Sequence, residues 1–205
     1  MHRATWRVLA AALAASSVAA GCSDSSKVDD RRPLPTNSAA GELVCRFVSK
    51  ESLSIALGSA DFNAEGDKRD AHRKNPDGST LAAATCEVTT GEAKGKNAIS
   101  VSVQPLGLIG EDDAQVAEVL ASGRADFVFP AAEGMGFGAS EQTLHLGAGV
   151  CDLIVGDWHY GVTIQNAVAG RNAVDDAVAL TRQVVATLRL PKVGTKPRPT
   201  VSPSK

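Results

Sequence analysis

"VCDLIVGDWHYGVTIQ", residues 150–165, holds two apolar-rich runs separated by Gly156-Asp157. A glycine followed by aspartate between two such runs is the signature of a two-residue II′ turn, whose twist suits a β-hairpin. Placing the turn there sets the register. Val155 faces Trp158, Ile154 faces His159 and Cys151 faces Val162. Strand side chains alternate between faces, so Cys151, Leu153, Val155, Trp158 and Tyr160 share one face and His159 lies on the other. Short connections between neighbouring strands require antiparallel pairing.

Upstream the same pattern recurs. "LAAATCEVTT" (81–90) and "NAISVSVQPL" (97–106) read as strands, and Ile99, Val101 and Val103 alternate with polar neighbours. Gly91 and Gly95 between them suit a hairpin. "DFVF" (126–129) is a brief strand ending at Pro130, and "EQTLHL" (141–146) a further one. Three helices punctuate the strands. "VSKESLSIALGS" is capped by Ser49 and stopped at Gly58, with Leu53, Ala56 and Leu57 on one face. "EDDAQVAEVLASG" begins with acids that complement the helix dipole and ends at Gly123. The last helix carries Val174, Ala177, Val178, Thr181, Val184, Val185 and Leu188 as an i, i+3, i+4 stripe. The expected class is α+β, a mainly antiparallel sheet packed against helices. The charged stretch "DFNAEGDKRDAHRKNPDGS" (61–79) reads as a long exposed loop, and "EGMGFGAS" (133–140) as a glycine-rich loop.

The ends differ in kind from this body. Arg3 and Arg7 precede an apolar run from Val8 to Val18, which gives way to Ala19, Ala20 and Gly21. That is the layout of a secretory signal, and it is about half the ~20 apolar residues a spanning helix needs. Cys22 follows at once. Residues 22–41, rich in Ser, Asp and Pro, cannot bury enough surface to fold and read as a disordered tether. Residues 192–205 read as a disordered basic tail, which leaves 42–191 as one domain of ordinary size.

The chain has 21 basic and 23 acidic side chains, and losing residues 1–21 would remove two basic ones and move the net charge from −2 to about −4. A nucleic-acid partner wants a basic face, and this balance excludes one. With aromatics at 4%, the core is expected to be built from small aliphatics. Beyond Cys22, the three cysteines Cys45, Cys86 and Cys151 predict one disulfide and one free thiol. Loops of about 40 and about 65 residues are worth nearly the same ~4 kcal/mol, so loop length does not choose between Cys45–Cys86 and Cys86–Cys151.

Catalytic motifs are weak. A Cys151–His159 dyad fails because the hairpin puts the two on opposite faces. "GMGFG" is not followed by the helix with Lys and Ser/Thr that a phosphate loop requires, and "GEAKGKN" misses its spacing and ends in Asn97 rather than a hydroxyl. A G-x-S-x-G elbow is absent from the sequence. His72, His145 and His159 have no second ligand at metal-binding spacing, so neither metal nor cofactor is expected. The candidate ligand loop is Gly134, Gly136, Phe137 and Gly138, whose glycines would bare backbone amides beside an aromatic ring.

Two resemblances add an address. "SSVAAGCSDSS" (16–26) resembles a bacterial lipobox, with Ala19 in place of the usual leucine. The resemblance implies cleavage before Cys22, a palmitate-type lipid on its sulfur and attachment to the extracytoplasmic face of the cell membrane. "VCRFVSKESLSIALGS", Cys86 in "ATCEVTT" and the glycine-rich "EGMGFGAS" are together similar to an actinobacterial lipoprotein family catalogued as a domain of unknown function. That resemblance implies a PsbP-like fold and a Cys45–Cys86 bridge, and it supplies no activity. The expected function is therefore a lipid-anchored binding or accessory module of the cell envelope, serving an envelope protein or a small-molecule ligand. The competing class is a hydrolase-like envelope enzyme.

Overall fold

The computed structural model describes residues 31–68, 84–90, 97–106, 112–141, 148–165 and 167–190. Cys22 and the leader before it, Gly91 and Gly95, most of the "EQTLHL" stretch, His72, His145 and the basic tail lie outside the described residues.

The hairpin read from the sequence is the centre of the sheet. Strands β8 (Ala148–Val155) and β9 (Trp158–Ile164) pair antiparallel with Val155 opposite Trp158, Ile154 opposite His159 and Cys151 opposite Val162. Gly156 takes a φ of 61° and Asp157 stays at negative φ, as a II′ turn requires. The remaining strands are β3 (Phe62–Lys68), β4 (Ala84–Thr90), β5 (Asn97–Pro105), β6 (Phe127–Val128) and β7 (Met135–Glu141). The order β3-β4-β5-β9-β8-β7-β6 forms a seven-stranded sheet, antiparallel throughout. A separate two-stranded ribbon joins β1 (Leu43–Val44) to β2 (Val48–Ser49). With its helices this is an α+β fold.

Helix α1 (Lys50–Leu57) begins where the Ser49 hydroxyl accepts from the Ser52 amide and ends at Gly58 in the left-handed conformation. Helix α2 (Asp112–Ser122) lies on one face of the sheet, its Val116 buried with Phe137 and Ile154. Helix α3 (Ala173–Leu188) lies on the other, its N-terminal amides capped by the Asn172 side chain. Its stripe of Ala177, Leu180, Thr181 and Val184 is sealed against Cys151, Leu153, Tyr160 and Val162. The approach is close because the sheet lacks side chains beneath it. A Cβ on Gly149 would stand 2.4 Å from the carbonyl carbon of Ala173, and one on Gly138 would stand 2.8 Å from methyls of Val174 and Val178.

Three expectations change. The charged stretch from residue 61 opens with β3 rather than a loop. Phe62 and Ala64 face inward beside Val88, while Asn63, Glu65 and Asp67 point to solvent, a pattern that suits a charged edge strand. The glycine-rich segment is β7, paired with β6 on one side and β8 on the other. Half of the tether is also folded. Residues 31–41 run along α3, with Leu34 buried in the main core. Their backbone is held by Arg171 Nη1 donating to the Arg32 carbonyl (3.0 Å), Gln183 Nε2 to the Pro35 carbonyl (3.1 Å) and the Ala39 amide to Thr187 Oγ1 (2.7 Å). Low hydrophobicity misleads here because one leucine and three polar partners on α3 suffice to fix an extended segment.

The Cys45–Cys86 bridge is formed, with Cα atoms 5.6 Å apart, and ties the β1–β2 turn to β4. Cys45 and Arg46 both have left-handed backbones, at φ 49° and 65°. That conformation costs about 1–2 kcal/mol for each non-glycine residue, and the bridge and the buried Phe47 behind it hold the turn in place.

Gly149 has an ordinary φ, so substituting it tests helix–sheet spacing alone. Gly149→Ala is expected to lower the free energy of unfolding by about 1–3 kcal/mol through overpacking against α3. Urea titration followed by far-UV circular dichroism measures it, and an unchanged midpoint would contradict the close approach.

Candidate functional site

The two faces of the sheet divide the chemistry. On the α3 face lies Cys151, fully buried. Burial pushes its thiol up to about 12, with a hydrogen bond to the Thr181 side chain acting in the opposite direction. A thiol held protonated is neither a nucleophile nor a metal ligand. Tyr160, on the same face, is likewise pushed up to about 12 by burial.

The α2 face is where polar groups gather. Along it lie Ser100, Ser102 and Gln104 of β5, Asp152 of β8 and His159 and Thr163 of β9. His159 Nε2 lies 2.8 Å from Asp152 Oδ1. Because a carboxylate only accepts, that nitrogen carries the proton. Nδ1 is shielded from solvent within the fold. Gly161 sits between Asp152 and Ser102 in the ladder, and a Cβ there would be 2.9 Å from Ser102 Oγ and 3.6 Å from Asp152 Oδ1. The missing side chain thus opens the middle of the polar strip. Ser100 Oγ lies 2.7 Å from Glu87 Oε1 and extends the strip onto β4.

Where α2 crosses this face, Gln115, Val116, Val119, Phe137, Asp152 and His159 line a cavity of about 190 Å³. Val116, Val119 and Phe137 give it apolar lining, and Gln115, Asp152 and His159 give it polar lining. An open cleft of about 390 Å³ lies nearby, among Leu120, Val128, Phe129, Met135 and Ile154, with Gly134 and Gly136 in its lining. Val128 is one of two large apolar side chains left exposed among the described residues.

The candidate ligand residues are therefore divided rather than gathered. Gly134 and Gly136 border the open cleft, Phe137 is buried under α2, and Gly138 lies under α3 on the opposite face. The glycines also serve packing. Added Cβ atoms on Gly134 and Gly136 would meet the Ile154 and Asp152 carbonyl oxygens of β8 at 2.3 Å. The Gly136 and Gly138 carbonyls accept from the Phe129 and Asp126 amides, so this backbone is committed to the sheet rather than bared as a cradle. Cys151 and His159 stand on opposite faces, as the hairpin register required.

The Asp152–His159 pair is the part that sequence reasoning passed over. Asp152 and His159 stand diagonally across the hairpin, because His159 is directly opposite Ile154. The signal was present in the register already derived, since both residues point away from the Cys151 face. No group of three or more His, Cys, Asp or Glu side chains suited to a metal ion occurs among the described residues. No helix among them is long and apolar enough to cross a membrane. Compared with protein-family models, with curated proteins and with solved structures, the chain matches none.

Cys151 and Tyr160 bind their protons more tightly folded than unfolded. Their contribution to stability is present below about pH 9 and is lost as pH rises towards 12. The unfolding midpoint in urea should therefore fall between pH 8.5 and 10.5, and Cys151→Ala should make that fall shallower. An equal slope in the variant would contradict the buried-thiol account.

Proposed function

We propose that this protein is a lipid-anchored lipoprotein on the extracytoplasmic face of the cell envelope, whose folded body is a binding or accessory module. The observation that carries the reading is the distribution of the cysteines. Cys45 and Cys86 are joined in a disulfide, which persists in oxidising compartments and is rare in a reducing cytosol. Cys151 is buried in the core as a free thiol. Cys22 is the one cysteine left over, and it stands directly after the small residues of a leader-like run. A diacyl anchor supplies the two chains that durable attachment needs, where one chain is marginal at ~0.8 kcal/mol per buried CH₂.

Kinship with actinobacterial envelope lipoproteins of PsbP-like fold, read from the cysteine and glycine motifs, is part of the same proposal. The body offers recognition rather than reaction. Its α2 face combines a hydroxyl- and amide-bearing strip with a small cavity and an open apolar cleft, an arrangement that takes a small ligand or a partner's side chain. Asp152 and His159 are the titratable pair at that cavity. The imidazole turns one nitrogen to the carboxylate and the other into the fold, so it has none to offer a substrate.

Cys22→Ala, expressed in a bacterial host that processes lipoproteins, is expected to move the protein from the membrane to the soluble fraction and to abolish metabolic labelling with palmitate. Mass spectrometry of the unaltered protein should find an N-terminal diacylglyceryl-cysteine. Membrane retention of the alanine variant would contradict the reading.

A further inference from the structure

Attachment through Cys22 has a geometric consequence once residues 31–41 are recognised as part of the folded body. The span from Cys22 to Arg31 is about nine peptide steps, which reach at most about 30 Å when fully extended. Were the chain free as far as Glu42, the reach would be about 70 Å. The docked segment cuts the leash to less than half.

It also decides which end of the domain the leash leaves from. Arg32 is held at the start of α3 by Arg171, whose guanidinium is itself fixed by both carboxylate oxygens of Asp176. The Arg171 and Asp176 side chains are each 6% exposed, so the pair that holds the Arg32 carbonyl is itself buried while that carbonyl lies at the surface. The Arg31 guanidinium carbon would lie 3.9 Å from a Cβ on Gly170, against the loop that leads into α3. From there the segment follows the helix, reaching Gln183 at Pro35 and Thr187 at Ala39. α3 is about 24 Å long at 1.5 Å per residue. The Gly156 turn and the Pro130–Glu133 turn lie at the far end of the sheet, next to the C-terminal half of α3 through the Arg182–Glu133 ion pair.

We propose that the docked segment 31–41 orients the domain on the bilayer, with the loop 167–172 and the start of α3 towards the lipid headgroups and the Gly156 end away from them. This rests on the lipid anchor at Cys22 and adds to it a direction and a distance. The open cleft beside Gly134 and Gly156 then faces the extracytoplasmic space, where a partner arriving from outside the membrane would reach it.

Energy transfer to headgroup-labelled lipid tests the arrangement. Ala169 and Ala132 are both exposed, the first in the membrane-side loop and the second in the far turn. Ala169→Cys and Ala132→Cys would each be labelled with a donor dye in the full-length lipidated protein. Cys151 is buried, so the unaltered protein serves as the labelling blank. The protein is then reconstituted into phosphatidylethanolamine–phosphatidylglycerol vesicles carrying a rhodamine headgroup acceptor. Transfer from position 169 is expected to exceed that from position 132 by about twofold or more, given a helix-length offset of about 24 Å. Ten Gly/Ser residues inserted between positions 30 and 31 leave every described contact intact and should bring the two signals together. Equal transfer in the parent protein, or an insertion that changes nothing, would overturn the proposal while leaving the anchor standing. Failure of the labelled protein to float with vesicles would overturn both.

Discussion

The structure depends on how closely α3 lies on the sheet. A helix backbone can approach strands only where the strands carry nothing beneath it, and Gly149 and Gly138 supply that absence on adjacent strands. The approach brings Ala177, Leu180 and Thr181, all fully buried, onto Cys151 and its neighbours, and it produces the desolvation that raises the Cys151 thiol. The other parts are fastened to the helix so placed. Arg182 makes two hydrogen bonds to Glu133 and stacks on Phe127 and Phe129 at 5.2 and 5.4 Å, which secures the short edge strand β6. Gln183 reaches Ser52 of α1 and the Pro35 carbonyl with one amide nitrogen, so α1 and the N-terminal segment share an attachment.

The disulfide does for the opposite flank what α3 does for the centre. The ribbon of β1 and β2 has four residues in strands, too few to be stable alone. Its turn passes through two left-handed residues, one of them Cys45. Joining Cys45 to β4 fixes that ribbon to the sheet, and α1 starts directly from it at Ser49. The bridge is thus part of how this flank is held, and a bridge of this kind persists where the surroundings are oxidising.

Much of this was legible in the residues, and the reasons differ by element. The β8–β9 hairpin could be read down to individual cross-strand partners because a two-residue turn leaves a single register and strand periodicity then assigns every face. Helix α1 was legible from its caps at Ser49 and Gly58. Strand β3 was hidden because an edge strand tolerates charges that elsewhere mark a loop, and its inward residues Phe62 and Ala64 are diluted by Asn63, Glu65 and Asp67. In β7 the glycines meet a demand for space from β8 and α3, and spacing along the chain carries no trace of what will press against it. Docking of residues 31–41 was hidden for a related reason, since its partners Arg171, Gln183 and Thr187 are distant in sequence and polar. For the candidate site, the register contained the shared face of Asp152 and His159, while the cavity depends on where α2 lands.

These features make α3 the spine that joins residues 31–41 to the sheet, and that segment belongs to the folded body. The most direct test is native-state hydrogen exchange by NMR, read at the Ala39 amide, which donates to Thr187. Its exchange is expected to be slowed by about a hundredfold or more relative to an unstructured chain, because the donor opens only when the segment leaves the helix. Exchange of Ala39 at the unstructured rate, while the amides of α3 remain protected, would contradict the account.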